Sequence, residues 1–119
     1  MPDPRIIDPA ALENLRALGS EDNGAFLREI VGIFLADMPE RIAELELGLS
    51  SGERERFIRS AHSIKGSAAN LGATALRAAA ERLESEASRG QWSALAPRLA
   101  ELTGEFVRAR AELEPLLAV

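Results

Sequence analysis

The chain contains no cysteine, which excludes a disulfide framework, a thiolate metal site and a thiol nucleophile. It has one histidine, His62, so a multi-histidine metal cluster is excluded as well. Positive charge is in deficit: 14 Lys and Arg against 19 Asp and Glu give a net charge of -5. A clustered excess of basic residues, the electrostatic footprint of phosphate-backbone binding, is missing, and nucleic acid is not an expected partner. No apolar run exceeds a few residues, so no segment is expected to enter a membrane. Residues Met1 to Arg5 lack the apolar core of a signal peptide, and the expected compartment is the cytoplasm. At 119 residues one domain spanning 1–119 is expected, too short for a catalytic and a nucleotide-binding domain together. An autonomous ATP-driven kinase is therefore not expected.

Aromatic residues are also scarce, 4% against 46% hydrophobic and 28% charged. The apolar content is mostly Leu and Ala, and with abundant Glu and Arg this is helix-forming composition. Breakers cut the chain into helical pieces. Asp8 followed by Pro9 reads as an N-cap with proline at the first helical position, and Ile7 and Leu12 fall at the two staple positions. This short helix runs to about Leu18 and ends at Gly19. A second helix starts at Ser20 or Asp22, with Phe26, Ile30, Phe34, Met38, Ile42, Leu45 and Leu49 on one face over roughly 25 residues. Pro39 inside it is expected to bend it. The third carries Phe57, Ile58, Ala61, Ile64, Ala68 and Leu71, closed by Gly72. The fourth runs from about Ala73 to Arg89 on Leu76, Ala80, Leu83 and Ala87, closed by Gly90. The fifth is capped by Ser93 and carries Leu95, Leu99, Leu102, Phe106, Ala109, Leu113 and Leu116. Short links between four apolar seams predict an all-α, antiparallel up-down four-helix bundle with a short extra N-terminal helix laid against one end.

At 100° per residue His62 lies about 140° from the seam of the third helix, facing water. Gly66 and Ala69 share its face and Lys65 sits on the near flank. Taken singly, each has an ordinary explanation: a surface histidine, a glycine that eases packing, a solvated lysine. Their conjunction points further. Gly in a helix interior costs about 1 kcal/mol relative to Ala, and two very small residues beside an outward imidazole leave room for another molecule to approach. Lys65 is the only lysine in the chain and stands three residues from the only histidine. A neutral imidazole is a good nucleophile, and a nearby cation eases the gathering of phosphoryl charge.

The run Ala61-His62-Ser63-Ile64-Lys65-Gly66-Ser67-Ala68-Ala69-Asn70-Leu71-Gly72 resembles the phosphoacceptor signature of histidine-containing phosphotransfer (HPt) domains, the shuttles of bacterial multistep two-component relays. Ile64 replaces a commoner Leu and Ala68 a frequent Ser. The resemblance implies that His62 accepts a phosphoryl group from an aspartyl phosphate on one receiver domain and passes it to an Asp on another. It also implies electrostatic support from Lys65 and steric access at Gly66. Arg59, Ala69 and Arg77 are assigned to the partner surface. The implied partners are response-regulator receiver domains and a hybrid sensor histidine kinase. No cofactor is expected on the chain itself; magnesium is expected on the receiver.

Because the fourth helix runs back past the third, the window Arg82 to Ser85 should lie level with the imidazole. Glu84 flanks the seam there on the side of Lys65 for one of the two bundle handednesses. Holding a ring N–H, pairing with Lys65 and plain solvation are the three roles open to it. Ser67 projects about 140° from His62 on the wheel, and is expected against the bundle's interior flank instead. Two other functions remain open at this point. One is a helical adaptor that binds a protein without chemistry; the other is the phosphoacceptor domain of a chemotaxis-type kinase, whose donor is ATP on a separate domain.

Overall fold

The computed structural model describes residues 6–19 and 24–117. Five α-helices follow in order: α1 (Pro9–Leu18), α2 (Ala25–Ser51), α3 (Arg54–Asn70), α4 (Thr74–Ser88) and α5 (Leu95–Leu113). Short 3-10 turns precede and follow α5, at Trp92–Ala94 and Glu114–Leu117. Helix α2 packs on α3, α3 on α4, α4 on α5, and α5 closes the ring against α2. This is the antiparallel four-helix bundle that the seams and short links require, and α1 packs against α2.

The seam of α3 is Phe57, Ala61, Ile64 and Ala68, each fully buried, and α4 meets it with Leu76, Ala80, Leu83 and Ala87. Helix α5 buries Leu95, Leu99, Leu102, Phe106, Ala109 and Leu113. In α2 the inward residues are Leu27, Val31, Phe34, Met38, Ile42, Leu45 and Gly48. Phe26, Ile30 and Leu49, expected on the seam, lie at its edge, half-buried against the core. Two apolar residues compete at each of these levels, 26 with 27 and 30 with 31, and a single helix's periodicity does not say which neighbour it will meet. Helix α2 runs through Pro39 as one continuous helix. Ser20 and Asp22, the expected start of α2, lie outside the described residues; within them the helix begins at Ala25 after Gly24. Ser93 sits inside the 3-10 turn instead of capping α5, whose N-cap is Ala94. The α-helical part of α5 stops at Leu113, just before Pro115, and Leu116 reaches the core from the 3-10 turn.

The two ends of the bundle are fixed by specific contacts. Asp8 caps α1 by accepting from the Ala10 N–H at 3.0 Å, with Pro9 at the first helical position. The Asp8 N–H in turn donates to the Gly72 carbonyl at 2.7 Å, tying α1 to the turn between α3 and α4. Gly72 has φ +70°, and a Cβ there would stand 2.6 Å from Ala11 Cβ and 3.0 Å from the Asp8 carbonyl oxygen. Both the left-handed backbone and the close approach of α1 require glycine at this position. At the other end Phe57 meets Trp92 edge-on with ring centroids 5.6 Å apart.

Candidate functional site

His62 is in the middle of α3, with its side chain 67% exposed. Fully buried Ala61 and Ile64 on either side anchor the helix, so the imidazole is held outward by a rigid element. Across from it, α4 presents Glu84, whose side chain is 21% exposed. The His62 Nδ1 lies 2.9 Å from Glu84 Oε2, and Lys65 Nζ donates to Glu84 Oε1 at 2.7 Å. One carboxylate thus spans both residues of α3. The hydrogen bond from Lys65 is the main cause that holds the Glu84 carboxyl below the usual carboxylate range; partial burial opposes it and His62 assists.

The bond assigns the tautomer. An ionised carboxylate only accepts, so Nδ1 must carry the proton that it donates. In the neutral ring the lone pair is then on Nε2, the nitrogen away from Glu84. The site therefore offers an oriented, exposed imidazole nucleophile whose other edge rests on a carboxylate that stabilises positive charge in the ring.

Gly66 is exposed on α3 one turn beyond His62, and a Cβ there meets nothing within 4 Å. Helical side chains lean toward the N-terminus, so any side chain at 66 would lean over the imidazole. Ala69, a further turn along, is also exposed, as is Arg77 on α4. The α3–α4 register that pairs 62 with 84 places 69 level with 77, about 10 Å from the imidazole along the helices. Arg77 is therefore not part of the His62 cluster. Arg59 is exposed one turn before His62. Ser67 is half-buried beside Ile30, Phe34 and Met38 of α2, on the interior flank.

One feature beside the histidine is not visible in the sequence. Between α2 and α3 lies an open, highly charged cleft lined by Arg41, Glu44, Arg56, Arg59 and Ser63 among others. Arg56 bonds both oxygens of Glu44, at 2.7 and 3.2 Å, and Glu53 at 3.0 Å. The Arg56 hydrogen bond holds the Glu44 carboxyl below its usual range. Glu44 and Arg56 sit on different helices, and no local spacing pairs them.

The family model for the Hpt domain matches residues 29–116 of the chain. Multistep phosphorelay regulator 1 of Schizosaccharomyces pombe is 28% identical over 86 residues, 72% of this chain. That alignment takes in 29% of the yeast protein, so the chain spans less than a third of this relative. Among solved structures, histidine-containing phosphotransfer protein B from Pseudomonas aeruginosa PAO1 superposes with a TM-score of 0.87 at 23% identity, covering 97% of this chain and 96% of that one. The HPT domain of a sensor hybrid histidine kinase from Shewanella gives a TM-score of 0.75 at 15% identity, covering 98% and 97%. At these identities the two structures speak for the fold, and the family match over most of the bundle, with His62, Lys65 and Gly66 inside it, carries the assignment: the chain belongs to the Hpt domain family.

Proposed function

We propose that the chain is a phosphorelay intermediate that carries a phosphoryl group on Nε2 of His62. The observation that carries this reading is the Glu84 bond to Nδ1, which leaves the outward nitrogen as the nucleophile. In the forward step the Nε2 lone pair attacks the phosphorus of an aspartyl phosphate on a receiver domain. The N–P bond forms, the P–O bond to the aspartate breaks, and the aspartate leaves as carboxylate. The ring keeps its Nδ1 proton and becomes a phosphoimidazolium, whose positive charge Glu84 offsets across the hydrogen bond. The reverse step delivers the phosphoryl group to the Asp of a second receiver. Lys65 orients and holds Glu84, and the bare face at Gly66 admits the receiver's rim.

The partners are receiver domains, one of them on a hybrid sensor kinase, and the working compartment is the cytoplasm. The chain acts as a phosphocarrier without kinase activity of its own, and the magnesium for transfer belongs to the receiver. No helix among the described residues is long and apolar enough to cross a membrane. The test is a transfer profile against a panel of phosphorylated receiver domains at short times. Rapid acid-labile labelling of the parent by a subset of receivers, absent in His62→Gln, supports the reading. Labelling by an isolated kinase ATP-binding core but by no receiver would assign the chain to a chemotaxis-type kinase. Stable binding with no label from either would leave an adaptor.

A further inference from the structure

The cation expected to serve His62 is already engaged. Lys65 donates to Glu84 at 2.7 Å with its side chain 26% exposed, which holds its ammonium on the carboxylate that the Nδ1 edge of the ring faces. Glu84 itself occupies the Nδ1 edge of the ring. A phosphoryl group stands on the opposite edge, and because helical side chains lean toward the N-terminus, the imidazole covers the turn before its own Cα. That turn carries Arg59, three residues back and a neighbour of His62 on the helix surface.

Arg59 is exposed and takes part in no ion pair or hydrogen bond among the described residues. The carboxylates beside it are claimed by another residue: Arg56 bonds Glu44 through two nitrogens and Glu53 through a third. Arg59 acts on Glu44 only through its charge, and Glu55, four residues before it, forms no bond with it. Of the other arginines near the site, Arg82 is bound to Glu101 at 3.3 Å, and Arg77 is two turns away. On α3 itself Arg59 is therefore the uncommitted guanidinium a turn from the imidazole; Arg41 of α2, which lines the same cleft, has its Nε buried without a hydrogen-bond partner.

We propose that Arg59 is the cation that meets the phosphoryl group carried by His62, while Lys65 acts only through Glu84. This rests on His62 as the phosphoacceptor. A guanidinium suits the task because its planar N–H fork matches two phosphoryl oxygens at once.

The test uses phosphoramidate, a small reagent that phosphorylates accessible imidazoles without a protein partner, followed by ³¹P NMR titration of the loaded chain. A cation beside the phosphoryl dianion holds its second ionisation down. On the scale of exposed ion pairs, Arg59→Gln should raise that ionisation by a few tenths of a pH unit. Arg59→Lys should keep most of the parental value, and Lys65→Gln should move it less than Arg59→Gln does. The Arg59 Nε–H resonance should shift on loading. Coincident titrations of the parent and Arg59→Gln, or a larger displacement in Lys65→Gln, overturn the proposal. Loading by phosphoramidate does not require a relay. Refusal of every receiver to discharge the loaded chain would therefore strike the phosphorelay reading, while the titration still decides the role of Arg59.

Discussion

Lys65 and Glu84 are 19 residues apart in the chain and 2.7 Å apart in the fold, where the ammonium of one fixes the carboxylate that the His62 ring leans on. Lys65 is in consequence a positioning residue. Its ion pair carries the orientation of a group on another helix, and its removal acts on the imidazole at second hand.

Lys65→Ala should fold normally and lose about 1 kcal/mol or less, the range of a partly exposed ion pair. Transfer from receivers should slow, because Glu84 is released and the Nδ1 bond loosens. Single-turnover rates at subsaturating receiver, together with ¹⁵N shifts that report the imidazole tautomer, check both effects. A parental rate with a parental tautomer would make Lys65 a surface charge only.

Glu84 gives a pH dependence with a definite sign. Its folded pKa is depressed, so its contribution to stability is fully present above the ordinary glutamate value of about 4.3 and is lost as pH falls through the lower folded value. The stability difference between the parent and Glu84→Gln should be present at about pH 5 and should shrink on acidification below about 4. Urea unfolding across that range measures it, and a difference that ignores pH would remove the electrostatic account of the clamp.

His62→Gln should abolish acid-labile, base-stable phosphate on the chain and leave helicity unchanged, because the side chain is mostly exposed. Phosphate analysis after exposure to a phosphorylated receiver, with far-ultraviolet circular dichroism on the same sample, reads both.

At Gly66 stability and transfer should diverge. A Cβ there meets nothing within 4 Å, so Gly66→Ala should stabilise the bundle by about 1 kcal/mol. Gly66→Gln should melt no lower than the parent yet lose on the order of 10²-fold in transfer, since its side chain leans over the imidazole and displaces the incoming phosphoryl group. Melting temperature and transfer rate are measured on the same preparations. Transfer at the parental rate would show that the receiver does not come over this face.

Gly72 should respond in the opposite way. With φ +70° and Ala11 Cβ only 2.6 Å from the position of an added methyl, Gly72→Ala must strain the backbone and push α1 off the α3–α4 turn. A loss of about 2 kcal/mol is expected. Faster hydrogen exchange at the Asp8 amide, whose acceptor is the Gly72 carbonyl, should accompany it.

The spacing of three and four residues placed α3, α4 and most of α5 on the correct faces, because a helix's period is a local property that every seam residue repeats. The same period put His62 outward, and the small residues at 66 and 69 marked an open face by what they lack. Tertiary structure alone decided what required two helices at once. It chose Leu27 and Val31 over Phe26 and Ile30 in α2, because the packing partner selects between adjacent apolar residues. It left Ser93 in a 3-10 turn. It also set the hand of the bundle: a wheel places Glu84 and Lys65 on flanks of the same sign, but only the packing of α4 on one side of α3 brings them together. The commitment of Arg56 to Glu44, and with it the freedom of Arg59, was equally out of reach of the sequence, since those charges lie on separate helices and meet only when α2 packs on α3.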